Sequence, residues 1–485
     1  MRRAGGLLGK GGWKKRMPYC NGGIALCATR ERAHFQLVFD CKIVWRTNVM
    51  KKSQMSAHSA KSATGASSTL VKQWRDISWL TVEAKVRRLQ MRIAKAERSK
   101  KHHKVKALQW LLTHSLDAKL LAIRRVTVSK GAKTSGIDGK LCVSDSQKMQ
   151  LALSLKQRSY RALPLRRVYI PKKNSDKRPL GIPTIRDRAM QALYLLALEP
   201  VAEMRADPNS YGFRPYRAAA DAEERCYITL TNKKSAQWIL EGDIKACFDN
   251  ISHEWLLNNI PLEKRILKQW LDAGYMEKQT LYPTPEGTPQ GGVISPILAN
   301  MALDGLEVIV ANAAKAAKVR GHTVRYADDF ACMAASKEAL VDHIKPAIIN
   351  FLKERGLELS AEKTMITNVY DGFDFLGFNV RKNKKAQKLL IMPAKKSVHR
   401  FLAEIRALFK ANKMVKTHEL IMQLNPKIRG WANYYRHVVA KDTFGYVDDC
   451  IYRCVSRWTK RRHSNKNFDW IRKKYFRSHG LRNWV

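Results

Sequence analysis

The chain has 485 residues, enough for about three domains. Lys and Arg number 90 against 41 Asp and Glu, a formal net charge of +49; a surface this basic expects a polyanion as partner. Hydrophobic residues make up 45%, which argues against a disordered basic tail, and nine scattered cysteines with no CxxC pair argue against a disulfide framework or a zinc ribbon.

Residues 1–70 are rich in Gly, Ser, Lys and Arg, with a low-complexity linker at 56–68. They are expected to be a disordered basic arm or, since Met50 and Met55 lie just before the linker, an extension upstream of the true start. From Ser78, the residues Val82, Val86, Leu89, Ile93 and Ala96 recur at helical spacing. A second helix is predicted from about Lys104 to Arg125, and the turn at 136–139 closes this helical stretch. Residues 167–171 predict a strand, 172–178 a basic hairpin and 190–201 an apolar helix. Strands, loops and helices alternate from Trp238 to about Lys382, while residues 383–485 are predicted to be mostly helical, with Trp431, Trp458, Trp470 and Trp484 among cations. The fold class is α+β. No apolar run reaches the ~20 residues of a membrane span, so the expectation is a protein neither secreted nor membrane-spanning, cytoplasmic in a bacterium or organellar.

Charge divides the chain further. Residues 1–240 hold 49 basic and 16 acidic groups, 241–380 hold 14 and 19, and 381–485 hold 27 and 6. Basic flanks suit a phosphate backbone, and an acidic centre suits metal ions. Trp238–Asp243 reads as a buried strand ending at an acid. In residues 324–333 two apolar arms flank Asp328 and Asp329, which puts the pair at the tip of a hairpin rising from a buried sheet. If Asp243 ends a neighbouring strand, its carboxylate converges with Asp328 on a hard oxygen site suited to Mg²⁺. Two such ions, roughly 4 Å apart, clamp the attacking and leaving oxygens of a phosphoryl transfer.

Tyr326-Ala327-Asp328-Asp329 resembles the YxDD box of reverse transcriptases. Residues 243–249 resemble their first catalytic-acid motif, and 288–292 the loop between the acids. Residues 167–183, 210–215, 292–300, 357–364, 375–378 and 429–436 are similar to further motifs of one branch, the group II intron-encoded reverse transcriptase/maturases. The resemblance covers about residues 72–485. It implies a right-hand polymerase: an N-terminal extension over 71–160, fingers and palm with an antiparallel sheet over 161–382, and an α-helical thumb/maturase domain over 383–485. The implied activity is that of an RNA-directed DNA polymerase, a nucleotidyltransferase with a two-metal-ion mechanism. Such a protein also binds its intron RNA to promote splicing and reverse-transcribes it during intron mobility. Its partners would be intron RNA, RNA template, DNA primer, deoxynucleoside triphosphates and a DNA target site, with no membrane; monomer or homodimer stays open.

By the same resemblance, Asp243 and Asp328 would hold two Mg²⁺ ions, with Mn²⁺ as a substitute. Ile244 would lend a carbonyl, and Asp329 would be a weaker ligand. Phe248, five positions after Asp243, would lie beneath the incoming sugar and clash with a 2′-hydroxyl. Lys172 and Arg178 would contact the triphosphate, as an Arg fork suits. Gln290 would approach the nucleotide, Lys363 would protonate the leaving pyrophosphate and Tyr326 would pack near the primer end. Residues 375–378 form a primer-holding turn or a core strand. Ser295-Pro296 predicts an N-cap and first helical residue. Trp431, Tyr434 and Tyr435 are expected in the core of the helical end. Arg429, Arg436, Lys460, Arg461, Arg462, His463, Lys473 and Lys474 are expected on RNA phosphates. Paired cysteines and a His cluster for a nuclease are missing, so second-strand cleavage is not expected. Two rival readings remain: a maturase with a vestigial polymerase site, and a defence or retron enzyme. The intact acids speak against the first, and the 429–436 motif against the second.

Overall fold

The computed structural model describes residues 74–171, 177–232 and 235–476. The expectations for residues 1–70 and for Lys172 lie outside the described residues.

Three helices come first: α1 (Trp79–Arg98), α2 (His102–His114) and α3 (Leu116–Val128). The one helix expected over 104–125 is therefore two. Ser115 leaves the helical conformation, and its hydroxyl accepts the Ala118 amide as N-cap of α3. Next come α4 (Asp145–Ser154), β1 (Leu165–Pro171), β2 (Lys177–Ile182), α5 (Ile185–Arg205) and α6 (Ala219–Leu230). The helix predicted at 190–201 is the centre of α5. That helix is apolar on nearly every side and is buried accordingly, with α1, α2 and α3 packed on it.

The chain continues through β3 (Trp238–Asp243), short helices α7 (Cys247–Asn250) and α8 (His253–Asn259), α9 (Lys264–Leu271), β4 (Tyr275–Glu277) and β5 (Thr280–Tyr282). Then follow α10 (Ser295–Leu303), α11 (Leu306–Ala316), β6 (Gly321–Tyr326), β7 (Asp329–Ala334), α12 (Lys345–Lys353) and β8 (Met365–Asn368). By length and composition alone, Ser295–Ala316 is apolar enough to cross a membrane. Asp304 and Gly305 split it into α10 and α11, and the face formed by Leu298, Ala302, Leu306 and Val310 packs into the core.

A short hairpin, β9 (Phe373–Phe375) and β10 (Phe378–Lys382), precedes β11 (Leu389–Pro393). Helices α13 (Lys395–Ala411), α14 (Thr417–Tyr435), α15 (Lys441–Arg462) and α16 (Phe468–Tyr475) end the described chain. The boundary expected at 382 thus cuts a sheet. β11 pairs with β10 along its whole length, and helix begins only at Lys395.

Three sheets result, ordered β2-β1-β4-β5, β6-β7-β3-β8 and β11-β10-β9. The second, central sheet is antiparallel throughout. Its two faces feed different cores, as the two-residue period of a strand requires. Leu240, Phe330 and Cys332 join the large core shared with α1, α3 and α5. Ile239, Ala331 and Met333 face a second core with Phe375, Phe378 and Tyr435. A third core lies among α13, α14 and α15 around Phe401, Ile405, Leu424 and Trp458.

Candidate active site

Strand pairing places the carboxylates. Asp243 at the end of β3 lies opposite Asp329 at the start of β7, and Tyr326 of β6 also lies opposite Asp329, so Ala327 and Asp328 form the turn between β6 and β7. Ala327 has a left-handed backbone, φ 59°. The turn rests on Gly212, where a Cβ would collide with the backbone of Tyr326 and Ala327. The three aspartates therefore share one end of the central sheet.

Crowding shifts their protonation. Burial and then the charge of Asp243 raise the Asp328 pKa, while Arg178 and Lys363 oppose the shift. Asp329 is pushed up to about 6, first by the loss of surrounding water and then by Asp328 and Asp243, although one edge of it stays open to solvent. Lys363 Nζ donates to Asp243 Oδ2 at 2.8 Å, and this bond raises the pKa of the lysine. One ammonium bonded to a single carboxylate, with Arg178 acting at longer range, leaves an excess of negative charge that a dication would relieve. The donors fit such an ion, being carboxylate oxygens. A backbone oxygen is also at hand. The bridge between Ile244 and Leu359 is bonded through the Asp243 carbonyl and the Lys245 amide, so the Ile244 carbonyl takes no part in it. Among the described residues no group of three or more His, Cys, Asp or Glu side chains is placed to hold a metal ion as it stands.

Beside the acids lies half-buried Phe248 on α7, its ring edge-on to that of Phe213 with centroids 6.2 Å apart. The loop at 287–292 docks over α7: the Thr288 amide donates to the Phe248 carbonyl at 2.6 Å, and the Gly287 amide to the Ile251 carbonyl at 2.8 Å. Gln290 Nε2 donates to Asp249 Oδ2 at 3.4 Å, and its carbonyl accepts the Gly181 amide of β2 at 2.7 Å. Gly291, φ 110°, lets this backbone approach the Gly181 carbonyl. Arg178, exposed on β2, reaches the acids through its charge on Asp328. Ser295 is not an N-cap. That place falls to Ile294, because the Ser295 hydroxyl donates to the Pro289 carbonyl at 2.8 Å.

Comparison with known proteins places the chain in a family. Residues 170–380 match the family described as reverse transcriptase (RNA-dependent DNA polymerase), 74–155 the N-terminal domain of reverse transcriptase, and 398–476 the group II intron maturase-specific domain. Over 420 residues the chain is 30% identical to the group II intron-encoded protein LtrA of Lactococcus lactis subsp. cremoris, covering 66% of this chain and 68% of LtrA. This chain belongs to the group II intron-encoded reverse transcriptase/maturase family. It is also 32% identical over 331 residues to protein YkfC of Escherichia coli (strain K12), covering 59% of this chain and 86% of YkfC. Among solved structures, telomerase from Candida albicans in complex with a telomeric RNA fragment is similar at 13% identity and a TM-score of 0.39, over 64% of each chain.

Under the Asp328 turn of this reverse transcriptase/maturase lies a buried charge network that the sequence did not disclose. Arg325 of β6, 1% exposed, donates to Asp304 Oδ1 at 2.6 Å, to Asn300 Oδ1 at 3.1 Å and to the Ala327 carbonyl at 3.3 Å. Arg214 donates to the same Asp304 oxygen at 2.6 Å and to Glu203 at 3.0 Å. Asn300 Nδ2 donates to the Gly212 carbonyl at 2.7 Å. The available signal was an arginine inside an apolar strand next to the acids.

At the C-terminal side, residues 375–378 combine core positions with a turn. Phe375 and Phe378 are buried core residues, and Leu376-Gly377 is the turn between them, held by the Tyr434 hydroxyl on the Leu376 carbonyl at 2.8 Å and the Tyr435 hydroxyl on the Gly377 carbonyl at 3.1 Å. Tyr435 is core as expected and Trp431 partly so, whereas Tyr434 is 40% exposed. Arg429, Arg436, Lys460, Arg461, Lys473 and Lys474 are exposed, and Lys474 stacks over Trp470 at 4.6 Å. Arg462 differs: it is half-buried, stacks on Trp458 at 4.6 Å and donates to the Val415 carbonyl. His463 bonds Tyr475 at 2.7 Å.

Proposed function

We propose that this chain copies RNA into DNA at the Asp243–Asp328–Asp329 cluster and grips its own intron RNA with the basic helical end, promoting splicing and serving intron mobility. The observation that carries the reading is the convergence of these three carboxylates at one end of the antiparallel sheet, beside Phe248 and Gln290. In hand terms, the sheet of β1, β2, β4 and β5 with α5 is the fingers, the central sheet is the palm, and α13 to α16 are the thumb, with α1 to α4 as the N-terminal extension. Asp243, Asp328 and the Ile244 carbonyl would hold two Mg²⁺ ions, or Mn²⁺ in their place, with Asp329 contributing more weakly. Bound there, such ions supply positive charge to the attacking and leaving oxygens.

The protein's own groups do the rest. Arg178 and Gln290 orient the incoming triphosphate, joined by Lys172. Phe248 bars a 2′-hydroxyl. Lys363, held at Asp243 with a raised pKa, keeps its proton near neutral pH and has one to donate to the departing pyrophosphate. The Leu376-Gly377 turn and Tyr326 flank the primer end. Exposed Arg429, Arg436, Lys460, Arg461, Lys473 and Lys474 meet RNA phosphates; Arg462 shares that surface while bracing Trp458.

Primer extension by the purified full chain on an RNA template with Mg²⁺ tests the reading. The expected result is template-length cDNA. No cDNA from a preparation that still promotes intron splicing would leave only an RNA-binding maturase.

A further inference from the structure

The loop at 210–214 holds no metal ligand and no triphosphate contact, yet it is anchored at almost every residue. Ser210 bridges to Arg325, the Tyr211 amide donates to the Arg325 carbonyl at 2.8 Å, and the Arg325 amide donates to the Asn209 carbonyl at 2.9 Å. Asn300 holds the Gly212 carbonyl, and Arg214 is locked to Ser210, Glu203 and Asp304. Between these anchors Phe213 has a left-handed backbone, φ 57°, which is costly for an aromatic residue, and the residue is 58% exposed. Packing into a core therefore does not explain it.

The inner side of that residue packs against Phe248. The planes stand at 80° with centroids 6.2 Å apart, the edge-to-face arrangement that aromatic pairs favour. Phe248 sits on the four-residue helix α7 and is only half-buried, so its own element does little to fix its ring. A ring that excludes a 2′-hydroxyl must keep one rotamer, and a second ring packed against it restricts the alternatives.

We propose that Phe213 is a positioning residue for sugar selection: it holds the Phe248 ring at the angle that rejects ribonucleotides. This rests on the assignment of Phe248 as the sugar gate. It gives the loop at 210–214 a purpose. The same bracket supports the Asp328 turn through Gly212 and Arg325, so gate and catalytic turn are held as one piece.

The test is single-nucleotide incorporation by the full chain on an RNA template, read as kcat/KM for a deoxynucleotide over that for its ribonucleotide. An unfolded fraction lowers both rates equally and leaves this ratio unmoved. Phe248→Ala is expected to lower the ratio strongly. Phe213→Ala is expected to lower it about fivefold, the worth of one edge-to-face pair. Phe213→Tyr, which keeps the ring, should match the parent, and the double Ala variant should fall no further than Phe248→Ala. The proposal is overturned if Phe213→Ala leaves the ratio unchanged while Phe248→Ala shifts it, as expected if the exposed ring touched only template. It is equally overturned if the two effects multiply in the double variant. A parental ratio in Phe248→Ala removes the gate assignment itself, a separate failure read with Phe213 intact.

Discussion

At the Asp328 turn Arg325 is 1% exposed, and its two terminal nitrogens donate to Asp304, Asn300 and the Ala327 carbonyl, while its Nε has no partner. On α14, α15 and α16 the cations Arg429, Lys460, Arg461 and Lys473 are exposed, and among the described residues they make no ion pair. Both regions are rich in charge, but the physics differs. Buried charge is worth its desolvation only when its partners are fixed, so it sets geometry. Exposed charge holds no geometry, is screened by salt and attracts any polyanion. One region places three carboxylates with little freedom; the other offers exposed charge that the proposed function uses to hold RNA.

The sharpest break between the two is Asp243→Asn. On the proposed role of Asp243 as a metal-binding carboxylate, primer extension is expected to fall at least about a thousandfold. A residual rate within tenfold of the parent would mean that Asp243 serves the sheet rather than the chemistry. Next in size is Arg325→Met, which strips Asp304 of one of its two arginines. Urea unfolding should show a loss of about 3–5 kcal/mol. A loss below about 1 kcal/mol, the scale of a surface pair, would erase the contrast on which the comparison rests.

How much of this was legible in the sequence follows from the same contrast. The strand ending at Asp243 and the hairpin tip at Asp328 showed plainly, because a polar residue at the end of an apolar run is a local signal. The Arg325 network did not. Its partners Asp304 and Arg214 lie 21 and 111 positions away, and no period links them. Ser115 was hidden for the opposite reason: the apolar stripe continues through it, and the cap is a matter of one backbone angle. β11 was missed because Leu389–Pro393 is a five-residue apolar run, too short to separate strand from helix by period. Phe213 was visible inside a motif, but its partner Phe248 is 35 residues further on.

A smaller effect sharpens the exposed side. Replacing Arg429, Lys460, Arg461 and Lys473 together by Ala should weaken intron RNA binding and flatten its salt dependence. Every phosphate that is no longer neutralised takes about 0.7–0.9 from the slope of log K against log salt. Unfolding midpoints should stay near the parent value, since exposed charges contribute little. An unchanged slope would move the grip elsewhere.

The smallest effect concerns a buried charge without partners. Glu223 on α6 is 1% exposed, neither carboxyl oxygen has a hydrogen-bond partner, and burial alone raises its pKa well above the ordinary carboxylate range. The folded chain thus holds this proton more tightly than the unfolded chain. Its share of stability is complete at acid pH and is lost as pH rises from the unfolded value toward the raised folded one. Glu223→Gln should remove that slope and stabilise the protein at pH 8 relative to the parent. Parallel stability curves for the two proteins across pH 4–8 would show that Glu223 is not a net cost.

The most direct test pairs two readings on one variant. Asp328→Ala is assayed for primer extension on an RNA template and, in the same preparation, for equilibrium binding of the intron RNA. A catalytic centre distinct from the RNA grip predicts extension lost by about three orders of magnitude or more, with RNA affinity within about twofold of the parent. Matched loss of both, or extension that survives, would contradict it.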